Sequence, residues 1–401
     1  MIFKREQILK KLKKYFPKKI SRKKAIFTLL LVFFVLIILL VSIEIFSIFL
    51  IKKMGLNWEP AYLRIIKGYT SANLVGGRTE YHSWGSWNVP NYQGRIANYC
   101  IDVNYKFNSY GARDKERSTS GLGRTLVFGD SFIEGWGVDQ DKILTAQLEK
   151  ISGKEFLNFG NSGSGFAVLN EYILYRDFAS KFEYDSVIVG LTVGNDFADN
   201  DLKAWQGSAM IYYRPFFKLS DDKKDVEPVY FAEKVEGKYL LGLEPENKAA
   251  HFTVYSNWKD FSAFLNLSNF IQAYNLYFSK DSAGAKKFTY NLDFSDDAII
   301  ASLLVHEKFS KLIGDKDKYI LVIPSATDVY HYLNSGKQKS PKMEKFKKSL
   351  SNQGWQVIDP IDVFANLPED KIPEYFICDG HWSAKGDKLI AEYLYNLIKT
   401  K

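Results

Sequence analysis

The segments that could carry chemistry are short and lie far apart. Gly129-Asp130-Ser131-Phe132 follows an apolar run, Asn158-Phe159-Gly160-Asn161-Ser162-Gly163 follows a second, and Gly194-Asn195-Asp196 a third. Asp379-Gly380-His381-Trp382 stands just ahead of the last helical pattern. A serine hydroxyl is a weak nucleophile until a base takes its proton, and that base needs a third group to hold its tautomer. His381 is the candidate base for Ser131, and Asp379 the candidate orienter. A tetrahedral oxyanion needs donors aimed at it. The backbone N–H groups of Ser131 and Gly163 and the side-chain amide of Asn195 are the candidates. Glycine suits such a place because its backbone approaches a ligand with no Cβ in the way. Each motif alone is commonplace, since a serine after a strand is ordinarily a helix cap and a lone histidine ordinarily structural. Together, in the order Ser, Gly, Asn, Asp/His, they point to acyl transfer through a serine.

The elements that must position these residues are readable from texture. Short, almost continuously apolar runs at 124–128 (RTLVF), 155–159 (EFLNF), 185–191 (DSVIVGL), 318–324 (KYILVIP) and 355–359 (WQVID) predict five strands. Helical spacing at 141–151, 169–178, 299–312 and 385–398 alternates with them. That alternation predicts a parallel sheet covered on both faces, with ligands gathering at the carboxyl ends of the strands. The candidate residues fall at those ends.

Two regions depart from the pattern. Residues 52–120, rich in Trp, Tyr, Asn and Gly, read as a β-leaning lead-in. Between about 200 and 296 the alternation breaks, and we expect an insertion: hairpins over 210–245, then an aromatic helical stretch over 252–279. Tyr212, Tyr213, Phe216, Phe217, Tyr230 and Tyr239 there are either hairpin core or a platform for sugar rings.

The joint set resembles the SGNH (GDSL-like) hydrolase family: Ser131 in GDSF, Gly163 in NFGNSGSG, Asn195 in GND, and Asp379 with His381 in DGHW. The upstream FNSYGARD, with Asn108, Gly111 and Arg113, resembles a lead-in of membrane-anchored members. Many members place the acid three residues before the histidine, which here is Cys378. The D-x-H spacing instead resembles the alginate O-acetyltransferase-like branch. The resemblance spans roughly residues 98–400, with the 200–296 insertion outside its common core. It implies an SGNH-hydrolase domain over 121–400, a three-layer α/β/α (flavodoxin-like) fold, acting without a metal on ester-linked acyl groups, often on carbohydrate.

Composition narrows the class. At 46% hydrophobic residues the chain is not a disordered one. Its net charge of +8 is local: residues 1–24 hold eleven Lys or Arg against Glu6 alone. Of the 54 bases and 46 acids, 43 and 44 remain in residues 52–401, a near-neutral body that gives no support to nucleic-acid binding. Residues 25–51 read AIFTLLLVFFVLIILLVSIEIFSIFLI, of which the first 19 carry no charge. A 27-residue helix rises about 40 Å, enough to cross a hydrocarbon core of ~30 Å. Its far end, FSIFLIKK, lacks a small-residue cleavage site. We expect an uncleaved transmembrane helix, and the basic cluster before it puts the N-terminus in the cytoplasm and the body outside. There Cys100 and Cys378 either form a long-range disulfide or stay unpaired and buried. His82, His251, His306, His331 and His381 are scattered and form no zinc motif.

Other enzyme motifs fail. The α/β-hydrolase elbow G-x-S-x-G would need glycine where Ile133 stands, and GNSGSG does not match G-x-G-x-x-G. The reading is therefore a membrane-anchored, extracytoplasmic serine esterase acting on acyl groups, acetyl first among them, of cell-surface carbohydrate, with no cofactor. An O-acyltransferase served by a membrane acyl-donor partner and a non-catalytic polysaccharide-binding protein are the alternatives.

Overall fold

A computed structural model describes residues 22–53, 79–97, 101–163, 165–205, 214–235, 238–242 and 288–399. The basic tail up to residue 21, Cys100, Tyr212, Tyr213 and the 252–279 stretch lie outside them, as does the side chain of Tyr239.

Helix α1 (Arg22–Lys53) contains an apolar stretch, Ile26–Ser47, long enough to cross a membrane. Its large side chains from Ile26 to Phe46 are exposed all round the helix, with Phe27 at 67% and Leu40 at 63%. A helix apolar on every side and covered by none of the other described residues is suited to lipid.

The lead-in forms two antiparallel hairpins, β1 (Thr79–His82) with β2 (Gly85–Asn88) and β3 (Gln93–Ala97) with β4 (Asp102–Lys106). Ile96, Ile101, Val103, Tyr105 and Phe107 give the second hairpin a small core, against which Trp136 and Ile377 pack.

The main body runs β5 (Thr125–Gly129), α2 (Ser131–Glu134), α3 (Leu144–Ser152), β6 (Phe156–Gly160), α4 (Val168–Asp177), β7 (Ser186–Thr192) and α5 (Asp196–Asp199). A three-stranded antiparallel sheet then interrupts it: β8 (Pro215–Leu219), β9 (Val226–Val235) and β10 (Lys238–Gly242). Phe216 and Tyr230 of this sheet are buried, so of the aromatic residues read above these two are hairpin core. The body resumes with α6 (Asp296–Ile313), β11 (Asp317–Ile323), α7 (Ala326–Asn334), α8 (Pro341–Asn352), β12 (Gln356–Ile358), α9 (Ile361–Ala365) and α10 (Ala384–Ile398).

Strands β5, β6, β7, β11 and β12 form one wholly parallel sheet in the order β12-β11-β7-β5-β6. Numbered within the domain this is 2-1-3-4-5, the flavodoxin-like order. Alternate residues feed two cores. Leu126, Phe128, Val187 and Val189 face α4, α6 and α8, while Val127, Ile188 and Leu321 face α2, α3, α7, α9 and α10. The fold is α/β, with three layers. Helix ends follow local chemistry: Ser295 caps α6 by accepting from Ala298 N–H with Asp296 and Asp297 in the first turn, and Ser383 caps α10.

Candidate active site

In this strand order the switch point lies between β5 and β7, where the connections leave toward opposite faces and a crevice opens at the carboxyl ends. Ser131 leaves β5 and Asn195 leaves β7, so both lie at that crevice.

Ser131 opens the short helix α2, with Asp130 as N-cap accepting from Phe132 N–H. The helix can lie against the sheet because three adjacent strands carry glycine beneath it. A Cβ on Gly129 or Gly190 would come within 2.2 or 2.9 Å of Ile133 Cγ1, and one on Gly160 within 2.3 Å of Glu134 N. Ile133, fully buried, fills that floor.

The acid and the base come from a tight loop before α10. Ile377 N–H donates to His381 O at 2.8 Å, Gly380 N–H to Ile377 O at 2.9 Å, and Phe376 bridges to Trp382. Gly380 turns the loop at φ +95°, a conformation that favours glycine. Asp379 Oδ1 accepts from His381 N–H at 3.2 Å and lies 2.9 Å from His381 Nδ1. His381 Nε2 lies 2.7 Å from Ser131 Oγ. An ionised carboxylate only accepts, so Nδ1 carries the proton and the Nε2 lone pair faces the serine hydroxyl. Burial alone would raise the Asp379 pKa, but the His381 ring, its backbone N–H and the Trp136 indole together hold it below the usual carboxylate value. Phe132 packs on the His381 ring at 4.6 Å.

The candidate oxyanion donors are placed less simply. Ser131 N–H is the first of its helix, one of the donors a helix leaves without an internal acceptor. Gly163 N–H donates to Asn161 Oδ1. A Cβ on Gly163 would stand 2.3 Å from Ser86 Oγ and 2.7 Å from Asn161 Oδ1, so a larger residue here has to turn both side chains aside. The Asn195 amide donates to Asp199 Oδ2 at 2.9 Å and to Asp130 Oδ2 at 3.3 Å. To reach an oxyanion Asn195 has to release the longer of these, and Gly163 has to release Asn161.

Behind Asn195 lies a group of buried acids that sequence reasoning missed: Asp130, Glu171, Asp196 and Asp199. Burial raises the pKa of all four, and mutual repulsion adds to it for Glu171, Asp196 and Asp199. Asp199 is pushed up to about 6 even with Arg214 4.0 Å away. Only the spacing of Asp196 and Asp199 after Asn195 could have signalled it. The lead-in motif also finds its place. Asn108 Oδ1 accepts from Tyr110 and Ala112 N–H, and Gly111 turns at φ +77°. Arg113 reaches beneath the end of α2 to the carbonyls of Glu134, Gly135 and Val138. Cys378, next to Asp379, is disulfide-bonded; the chain's other cysteine is Cys100. Among the described residues no three His, Cys, Asp or Glu side chains are grouped to hold a metal ion.

No protein-family model matches the chain, and neither does any curated protein. Among solved structures it is similar to a lipase/acylhydrolase from Enterococcus faecalis, at 11% identity over 70% of this chain and 96% of that one, with a TM-score of 0.35. It is also similar to LAE5, an alpha/beta hydrolase enzyme from the metagenome of Lake Arreo, Spain, at 11% identity over 69% and 95% of the two chains, with a TM-score of 0.33. At that level neither likeness speaks to this chain's activity, and the geometry of its own site has to.

Proposed function

We propose that the protein is a serine esterase of SGNH type that acts on acyl groups, acetyl first among them, carried by cell-surface carbohydrate. The observation that carries this reading is the continuous Ser131–His381–Asp379 relay, with bonds of 2.7 and 2.9 Å at the carboxyl end of a parallel sheet. Ser131 Oγ attacks the ester carbonyl carbon while His381 Nε2 takes its proton. Asp379 holds the tautomer and steadies the imidazolium. Ser131 N–H, Gly163 N–H and Asn195 then stabilise the oxyanion, and collapse expels the alcohol, protonated by His381. Water attacks the acyl-enzyme by the same route in reverse.

The apolar helix α1 supports anchoring in a membrane, and a disulfide at Cys378 suits an oxidising compartment outside the cytoplasm. The same anchor, with the D-x-H spacing of Asp379 and His381, favours a second reading in which a sugar hydroxyl replaces water and the protein is an O-acyltransferase. The deciding experiment treats the full chain in detergent with a fluorophosphonate, followed by peptide mapping. A label on Ser131 that vanishes in His381→Ala is expected, and a folded sample without label would turn the reading to a non-catalytic binding role. Product analysis with and without an acceptor glycan then separates hydrolysis from transfer.

A further inference from the structure

The acid of the relay is held by more than its own loop. Asp379 Oδ1 serves His381, but Oδ2 takes a hydrogen bond of 2.9 Å from the indole Nε1–H of Trp136, 243 residues away in sequence. Trp136 leaves the nucleophile's own helix, and its backbone N–H donates to Ser131 O at 2.8 Å, beside Gly135 N–H at 3.1 Å. One residue thus joins the carbonyl of the nucleophile to the carboxylate of the acid. We propose that Trp136 is a positioning residue of the relay, acting through Asp379: it fixes the carboxylate in the plane that His381 needs and ties the acid–base loop to the helix that carries Ser131.

The surroundings make this tie stiff. Gly135 and Gly137 flank Trp136 at φ +83° and +76°, and a Cβ on Gly137 would stand 2.5 Å from Ile101 Cγ2 and 2.6 Å from Ile377 Cδ1. The turn therefore presses directly on Ile377, two residues before the acid. Gly137 N–H donates to the Tyr105 hydroxyl at 3.0 Å, and the Tyr105 ring lies 3.7 Å from the Arg113 guanidinium that gathers the carbonyls of Gly135 and Val138. A carboxylate bonded through one oxygen can still swing about its last torsion. Bonded through both, it keeps the orientation in which Nδ1–H is directed at it. The competing role is packing alone, because the Trp136 ring also lies 6.3 Å from Tyr105 and 6.4 Å from His381.

The inference rests on Ser131 being an activated nucleophile, and the test separates the two. The rate constant for fluorophosphonate labelling of Ser131 is measured on the full chain in detergent. The four proteins are wild type, Trp136→Phe, Asp379→Ala and the double variant. Phenylalanine keeps a ring and loses the N–H. Loss of a hydrogen bond to a charged group should slow labelling roughly ten- to hundredfold. In the Asp379→Ala background the same change should cost less than about twofold, because the group through which Trp136 acts is gone. Equal slowing in both backgrounds would assign Trp136 to packing and overturn the proposal, as would wild-type labelling in Trp136→Phe. If Trp136→Phe does not fold, benzothienylalanine at position 136, the same shape with sulfur for N–H, carries the same expectation. Absence of labelling in wild type would overturn the serine reading, and this inference with it.

Discussion

The glycine floor beneath α2 gives a quantitative test of how closely the nucleophile is seated. In Gly160→Ala the new methyl would lie 2.3 Å from Glu134 N, 2.6 Å from Ile133 C and 2.9 Å from Ile133 Cβ. All three are backbone atoms or the first side-chain atom of fully buried residues, so no flexible end can turn aside. Restoring ordinary contact at 3.4 Å requires the helix to rise by about 1.1 Å. Ser131 rides on that helix, and its 2.7 Å bond to His381 is anchored on the other side by a loop that does not rest on Gly160. A displacement near 1 Å at reacting groups costs about 10²-fold in rate, and overpacking of a filled core costs about 1–3 kcal/mol in stability. The expected result is a protein that melts somewhat earlier and labels or turns over ester about a hundredfold more slowly at a temperature where it is fully folded. Gly153→Ala is the control. Gly153 turns at φ +70° with nothing within 4 Å of its Cβ position. It should lose about 1 kcal/mol of stability for the left-handed conformation and no activity. A folded Gly160→Ala that reacts within twofold of wild type would refute the seating argument.

Asn195→Ala should lower ester turnover about 10²–10³-fold; full activity would mean that its amide serves only Asp130 and Asp199. Arg117 is buried and bonds Asp114 through two nitrogens while also meeting Glu149 and Glu155. Burial raises the Asp114 pKa even with Arg117 beside it. Arg117→Met should therefore cost about 3–5 kcal/mol in denaturant unfolding, and a loss below about 1 kcal/mol would count against a buried, uncompensated charge. His306 is fully buried on α6, with Nδ1–H donating to Ser302 O at 2.7 Å, and burial pushes its pKa from 6.5 down to about 4. Below pH 6.5 the unfolded chain binds a proton that the folded chain refuses, so this contribution is whole above pH 6.5 and is lost as pH falls toward 4. Between pH 7.5 and 5 the loss is about 2 kcal/mol. Asp199, with its raised pKa, acts with the opposite sign through pH 6. His306→Leu isolates the histidine: its unfolding midpoint should fall less than the wild type's over that interval, and an unchanged pH slope would exclude the assignment.

The five parallel strands are legible in the sequence within a residue or two. Strands buried on both faces are nearly continuous apolar runs, as in Leu126–Val127–Phe128, Val187–Ile188–Val189 and Ile320–Leu321–Val322. The all-apolar Ile26–Ser47 stretch is legible for a similar reason, since every side of it is hydrophobic. Helix α8 is not: its inward stripe is only Met343, Phe346 and Leu350 within a lysine-rich segment. Ser131, Asp379 and His381 are legible as candidates because their chemistry restricts residue types, and because local texture puts Ser131 at a strand end and the other two just ahead of the last helix. The sequence alone thus determines the layers, the side of the sheet on which chemistry can occur, and which residue types stand there. Only the tertiary structure decides which of those groups meet. Trp136 and Asp379, Gly160 and Ile133, Asn195 and the buried acids are joined through space by packing of the sheet, hairpins and loops. Spacing along a chain encodes the period of one element at a time, and a hydrogen bond across 243 residues belongs to no single period.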